Sequence, residues 1–168
     1  MYHELMSFRF CPHCGSKLQH GDVPNCPNDG PVWVLARNAP CADVMIIRDT
    51  SFLAVKRAHE PYFGYWAMPG GHLNLGEAPA DAAIREAKEE TGVHVKLGEL
   101  LGTYIEPVGA GQFHQTSVYL ATIPADAQLD ASEESSSVAW FSIDRPPENL
   151  VPHQRQRLTD YLRLAPKG

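Results

Sequence analysis

One predicted helix constrains the fold of this 168-residue chain more than any other feature. Pro79 begins an alanine-rich run that ends just before Gly92. Proline is favoured in the first turn of a helix and glycine just past its end, so the pattern predicts a helix over residues 79–91. The segment before it, from Tyr62 to Glu77, is rich in glycine, proline and asparagine and predicts a loop.

Three carboxylates lie on one side of this helix. At 100° per residue, Glu86, Glu89 and Glu90 share an arc of roughly 100°. Like charges so close destabilise a helix unless a cation lies between them. Hard cations with oxygen ligands, Mg²⁺ first and Mn²⁺ as an alternative, suit such a cluster. A solvated, charged helix face is the ordinary alternative for these residues taken alone.

The flanking residues strengthen the metal-site interpretation. Arg85 precedes Glu89 by one helical turn and is able to pair with it. Gly70 lets the backbone approach closely, so its carbonyl is a candidate metal ligand. Glu77 lies at the helix entrance, where the helix dipole favours a carboxylate.

The spacing from Gly71 to Val93 resembles the Nudix box, G-x5-E-x7-R-E-U-x-E-E-x-G-U, where U is an aliphatic residue. Every fixed position matches, and the one soft departure is Ala87, where the family usually has a larger side chain. The order of predicted strands, loop and helices from about Pro31 to Leu164 is also similar. The resemblance implies a Nudix hydrolase that cleaves a nucleoside diphosphate linked to another group.

The resemblance also implies roles for individual residues. The implied Mg²⁺ ligands are Glu86, Glu89, Glu90 and Gly70. Arg85 would orient the carboxylates. Glu89 or Glu134 would act as the general base, with Glu106 as a weaker candidate.

Substrate selection is less constrained by the sequence. Tyr62, Phe63 and Trp66 lie on the predicted loop and are candidates for stacking on an adenine, although Trp66 is equally consistent with packing beside the loop. Pro107 stands where some ADP-sugar pyrophosphatases have a proline, and a strand-ending turn explains it as well. We expect an ADP-ribose-like or dinucleotide substrate.

The first 30 residues are rich in cysteine, proline and glycine and show no apolar periodicity. This segment resembles the zinc ribbon that precedes the catalytic domain in NADH pyrophosphatases. The implied Zn²⁺ ligands are Cys11, Cys14, Cys26 and Asp29. Asp29 replaces the usual fourth cysteine, so His20 as the fourth ligand and a ribbon without zinc remain alternatives.

The expected architecture is α+β: a Nudix-type α/β/α sandwich with a mixed sheet. The predicted domains are a zinc-ribbon-like segment over residues 1–30 and a hydrolase domain over residues 31–168. Strands are predicted at 31–38, 41–49, 51–57, 97–106, 116–122 and 138–143, and a second helix at 152–164. Cys41 lies in an apolar strand and is expected to be a small core residue.

Composition limits the other classes of function. The net charge of −6, with no basic run, disfavours a nucleic-acid partner. The longest apolar run has five residues, so we expect no membrane association, and the cysteines and the absence of a recognisable signal predict a cytoplasmic protein. The ribbon is compatible with a homodimer. The alternative function is a nucleotide sensor that binds without cleaving, although a sensor does not need all three carboxylates.

Overall fold

The computed structural model describes residues 9–11, 13–19, 21, 24–32, 38–109, 112–131 and 135–164. The contacts divide the chain into two compact units, Met1–Arg37 and Asn38–Gly168, whereas the sequence predicted a division after residue 30.

The described residues of the first unit contain one two-stranded antiparallel ribbon, β1 (Asn25–Cys26) with β2 (Gly30–Pro31). Among these residues the buried apolar cluster is small and consists of Cys11, Leu18, Cys26 and Val32. So small a core supplies little folding free energy, and a bound metal is the usual way to order such a segment.

The second unit contains the longer elements. Its strands are β3 (Ala39–Arg48), β4 (Ser51–Arg57), β5 (Trp66–Ala67), β6 (Gly70–His72), β7 (Lys96–Gly109), β8 (Gln112–Thr122) and β9 (Ser135–Ser142). Its helices are α1 (Pro79–Thr91) and α2 (Arg155–Leu164), the latter preceded by a short 3-10 turn, Pro152–Gln154.

These seven strands form one mixed sheet in the described part of the chain. The order along it is β5-β4-β3-β8-β7, with β6 also paired to β3 and β9 to β4. The pair β3–β8 is parallel and the others are antiparallel.

Strand β3 is buried on both faces, and its alternating side chains join the two cores. On one face Val44 packs with alanines of helix α1, including Ala83. On the other face Met45 packs in a cluster that includes Leu158 of helix α2. The sheet therefore lies between the two helices, which confirms the predicted sandwich.

Local signals predicted the bounds of α1 and β4, whereas β7, β8 and β9 begin or end up to four residues beyond the predicted ranges. Helix α1 has the predicted limits and ends at Gly92, whose φ of 77° is the left-handed conformation expected of a helix-ending glycine. The predicted loop contains the short strands β5 and β6, because its backbone pairs with β4 and β3. The strand predicted at 31–38 falls largely outside the described residues. Among the residues described, we find no helix with the length and apolar character needed to span a membrane.

Candidate active site

Helix α1 directs two of the three predicted carboxylates inward. Glu86 and Glu90 are each only 8 % exposed, whereas the side chain of Glu89 is 54 % exposed. The packing of the alanines on the sheet explains the difference. The buried positions of the helix centre on about 90° when Ala82 is set at zero, and Glu89 lies about 110° from that centre.

The backbone of strand β6 lies directly against these carboxylates. The N–H of Gly70 donates a 2.9 Å hydrogen bond to Glu90 Oε2. A Cβ at Gly71 would come within 2.6 Å of Glu86 Oε1, and one at Gly70 would overlap the Asp43 carboxylate. Glycine is thus required at position 70, where such a Cβ would also come within 2.6 Å of the Ala42 carbonyl oxygen, whereas at Gly71 it would meet only the flexible end of the Glu86 side chain.

Arg85 binds three carboxylates at once. Its Nη1 donates to Glu86 Oε1 at 2.7 Å and to Glu89 Oε2 at 2.9 Å. Its Nε and Nη2 donate to the two oxygens of Glu77 at 2.8 and 2.9 Å, and Nη2 also donates to the carbonyl of His72. The predicted pairing of Arg85 with Glu89 is present. The guanidinium fork therefore ties the helix to the loop before it.

Glu77 anchors the other end of this network. The Arg85 guanidinium, together with the N–H of Asn74, lowers the pKa of Glu77 to about 2. The carboxylate of Glu77 thus stays charged throughout the neutral and mildly acidic range.

A cavity of about 550 Å³ opens beside Gly70 and Gly71. Arg85, Glu86 and Glu90 all line it. Other polar groups on its wall are Asp43, Arg57, His59, Glu60, His72, Asn74, Glu106, His114, Thr116, His153 and Gln154. The cavity is large enough for a nucleotide-sized ligand.

A buried ion network supports one wall of this cavity. Arg157 of helix α2 is fully buried and forms ion pairs with Asp43 of β3 and Glu106 of β7. Gln154 donates to Asp43 at 3.4 Å and accepts a 2.7 Å hydrogen bond from the N–H of Met68. No local sequence pattern predicted this network. A signal for it was the single carboxylate in the apolar run of β3, since a buried carboxylate needs a partner.

Glu106, the second ion-pair partner of Arg157, also contacts Thr116 and His153. Glu106 Oε2 accepts a 2.9 Å hydrogen bond from the Thr116 hydroxyl, and His153 Nε2 lies 3.5 Å from that oxygen. Burial lowers the pKa of His153, and the negative charge of Glu106 opposes that shift. Burial raises the pKa of Asp43, and the positive charge of Arg157 opposes that shift. These contacts favour a supporting role for Glu106 rather than the role of a mobile base.

The predicted substrate-binding aromatic residues occupy different places. Tyr62 lines the cavity, with its ring 5.9 Å from that of His153. Phe63 is exposed, and the ring of Trp66 packs edge-on against Phe141 at 4.8 Å. Neither Phe63 nor Trp66 is among the described lining residues of the cavity. The contacts of Trp66 thus support a packing role within the domain.

Two candidates fall outside the described residues. They are Glu134, a candidate base, and His20, an alternative zinc ligand. Ser135, which follows Glu134, donates a 2.9 Å hydrogen bond to the carbonyl of Glu90.

The first unit brings its four predicted zinc ligands together. The ligand atoms of Cys11, Cys14, Cys26 and Asp29 all lie within 4.8 Å of one another. Asp29 Oδ2 is 3.3 Å from Cys11 Sγ and 3.4 Å from Cys26 Sγ, and the two sulfurs of Cys14 and Cys26 are 3.4 Å apart. Ligands of a tetrahedral zinc ion lie about 3.3–3.8 Å apart, so this donor set fits Zn²⁺.

Comparison with known proteins agrees with this geometry. Residues 37–161 match the NUDIX domain family. The chain is 31% identical over 125 residues to an ADP-ribose pyrophosphatase of Methanocaldococcus jannaschii, covering 74% of this chain and 73% of that one. It is 29% identical over 155 residues to the NAD-capped RNA hydrolase NudC of Pseudomonas aeruginosa, covering 88% and 51%.

A solved structure extends the likeness to the fold. A NUDIX hydrolase from Nitrosomonas europaea superimposes with a TM-score of 0.75 at 23% sequence identity, covering 93% of this chain and 91% of that one.

Proposed function

The chain belongs to the NUDIX family and is a Nudix hydrolase, and from that premise we propose that it cleaves the pyrophosphate bond of an ADP-ribose-like compound or dinucleotide with the help of Mg²⁺. The observation that carries the proposal is the pair of buried carboxylates, Glu86 and Glu90, on the wall of a nucleotide-sized cavity.

The donor set suits a hard divalent cation. Two buried carboxylates one helical turn apart, beside a backbone that only glycine allows, form an acidic cradle at the cavity wall. The proposed ligands of Mg²⁺ or Mn²⁺ are Glu86, Glu89, Glu90 and the carbonyl of Gly70. Such an ion would neutralise phosphate charge and lower the pKa of the attacking water.

The side chains around the carboxylates have positioning roles in this proposal. Arg85 holds Glu86 and Glu89 through direct hydrogen bonds, so their oxygens keep a fixed orientation before substrate binds. The N–H of Gly70 does the same for Glu90. We propose Glu134 as the group that accepts the proton of the attacking water, with Glu89 as the alternative.

The preference for an ADP-linked compound draws on the relatives and on Tyr62. One relative is named as an ADP-ribose pyrophosphatase and another as an NAD-capped RNA hydrolase. Tyr62 lines the cavity and offers an aromatic face for a base. The proposed substrate contacts remain Tyr62, Phe63 and Trp66, and the structure favours the first.

The first unit is proposed to hold a structural Zn²⁺ through Cys11, Cys14, Cys26 and Asp29. Its functional limits are proposed as residues 1–30, with the hydrolase domain over residues 31–168. We also propose that this segment supports a homodimer, which sedimentation of the full chain tests. The four cysteines are unpaired, which supports a reducing, cytoplasmic location.

A substrate panel tests the proposed function. We expect the highest kcat/KM, with Mg²⁺ present, for ADP-ribose among ADP-ribose, NADH, FAD and dGTP. A tenfold preference for dGTP would overturn the ADP-linked assignment while leaving pyrophosphate hydrolysis intact. Nucleotide binding without hydrolysis of any compound would favour the sensor.

A further inference from the structure

A second group of metal-binding side chains lies on the sheet, apart from the carboxylates of helix α1. The ligand atoms of Cys41, His72 and His114 all lie within 4.8 Å of one another. All three side chains line the cavity. Cys41 is buried and His72 exposed, so the group runs from the sheet to the surface.

The strand register brings these residues together. Cys41 of β3 faces His72 of β6 as its cross-strand partner. His114 of β8 is the partner of Ala39, which lies two residues before Cys41 on the same strand. Side chains two apart on a strand, and side chains of cross-strand partners, point to the same face of a sheet. The grouping is therefore built into the hydrogen-bonding pattern of three neighbouring strands.

The separations are close to those of a metal site. Ligands of a tetrahedral zinc ion lie about 3.3–3.8 Å apart, so atoms within 4.8 Å need to close by up to about 1.5 Å. The exposed ring of His72 has room to make that movement. The rings of His72 and His114 already meet edge to face, with centroids 4.7 Å apart.

The surroundings favour a cation. Burial, followed by the carboxylates of Asp43, Glu106 and Glu86, raises the pKa of the Cys41 thiol to about 12. The same negative charge that disfavours a free thiolate attracts a cation, whose binding displaces the thiol proton. Burial, followed by the neighbouring His72, lowers the pKa of His114, which favours the neutral imidazole that binds a metal. A site with one thiol and two imidazoles binds a borderline ion such as Zn²⁺ in preference to Mg²⁺, whereas a carboxylate site suits Mg²⁺.

We propose that Cys41, His72 and His114 bind one Zn²⁺ ion at the cavity wall, separate from the carboxylate site and from the cysteine cluster of the first unit. Binding releases the thiol proton to solvent. Three protein ligands leave one coordination position for water or a ligand oxygen from the cavity.

Cobalt is the probe for this site, because a thiolate bound to Co²⁺ gives an intense charge-transfer absorption that carboxylate ligands do not. The full chain is titrated with Co²⁺ in excess Mg²⁺, which occupies the carboxylates. We expect the wild type to bind one Co²⁺ more than Cys41→Ser, and the difference spectrum to show the thiolate band. The cysteines of the first unit contribute equally to the Co²⁺ uptake and the absorption of both proteins, so their contribution cancels in the difference.

His72→Ala guards against misfolding of the buried cysteine variant, because His72 is exposed. We expect it to lose the same equivalent of Co²⁺, whereas His94→Ala, an exposed histidine elsewhere, binds as the wild type does. Equal uptake by the wild type, Cys41→Ser and His72→Ala would overturn the proposal. So would a loss confined to Cys41→Ser, because the histidines would then not be ligands.

Discussion

The N–H of Gly70 donates a 2.9 Å hydrogen bond to Glu90 Oε2, across the junction between strand β6 and helix α1. A backbone N–H cannot rotate away as a side-chain donor can. This hydrogen bond from strand β6 therefore fixes the orientation of the Glu90 carboxylate. The backbone of Gly71 lies against Glu86, because a Cβ at position 71 would come within 2.6 Å of Glu86 Oε1. The orientation of both buried carboxylates thus depends on two glycines.

Gly71→Ala is expected to reduce activity more than stability. The added methyl group meets the end of the flexible Glu86 side chain rather than backbone, so the carboxylate moves and the fold remains. We expect kcat/KM at limiting Mg²⁺ to fall at least about tenfold, with Tm lowered by at most about 4 °C, about 1 kcal/mol for this chain size. Gly98→Ala, on strand β7 away from the cavity, is the control and should keep near-normal activity. Normal activity of Gly71→Ala would contradict the proposed contact.

Arg157→Met is expected to destabilise the protein strongly. It leaves Asp43 and Glu106 buried without their shared cation, and loss of one partner from a buried ion pair costs about 3–5 kcal/mol. Urea unfolding at pH 7 measures this loss. Arg163→Met is the matched control, because its ion pair with Asp160 is on the surface. It should change the free energy of unfolding by less than about 1 kcal/mol, and equal effects of the two variants would contradict the account.

Glu77 makes stability depend on pH in a defined direction. Its pKa is about 2 in the folded protein, below the value of about 4.3 expected in the unfolded chain. The stabilisation is therefore complete above about pH 5 and is lost as the pH falls from about 4 toward 2. Glu77→Gln lacks this contribution.

The difference in unfolding free energy between wild type and Glu77→Gln should thus be constant near neutral pH and shrink below pH 4. Urea unfolding at several pH values measures it. A difference that stays constant down to pH 2.5 would show that the Arg85 contact does not lower the pKa of Glu77.

Asp29→Ala tests the zinc site of the first unit. Asp29 Oδ2 lies near Cys11 Sγ and Cys26 Sγ, and its removal opens one of four positions. Three cysteines remain, so we expect the variant to hold zinc more weakly than the wild type and to retain less of it per chain after dialysis, by elemental analysis. Asp126→Ala, an exposed aspartate elsewhere, should retain as much zinc as the wild type. If Asp29→Ala and the wild type hold equal zinc, Asp29 is not a ligand.

The parts of the fold that were predicted from sequence depend on local signals. Helix α1 was predicted because Pro79 and Gly92 mark its ends. The four proposed zinc ligands of the first unit, whose ligand atoms lie close together, were found because their spacing resembles a ribbon. The exposure of Glu89 was not predicted, because it depends on how the helix packs on strand β3.

The missed features depend on long-range contacts. Arg157 and Asp43 are 114 residues apart, so no local pattern pairs them. The grouping of Cys41 with two histidines requires the register of three strands, two of which pair in parallel. Sequence periodicity predicts that such strands exist, but their partners depend on the tertiary structure.

The most direct test of the account is the turnover of Glu90→Gln on ADP-ribose at saturating Mg²⁺. Glutamine keeps an oxygen that accepts the Gly70 hydrogen bond but removes the charge, so Tm should be unchanged or higher. Glu99→Gln, on the exposed part of strand β7, is the control and should match the wild type. We expect kcat of Glu90→Gln to fall at least about 1,000-fold, about 4 kcal/mol of transition-state stabilisation. A folded Glu90→Gln protein with kcat within tenfold of the wild type would contradict the assignment of this carboxylate to the catalytic metal site.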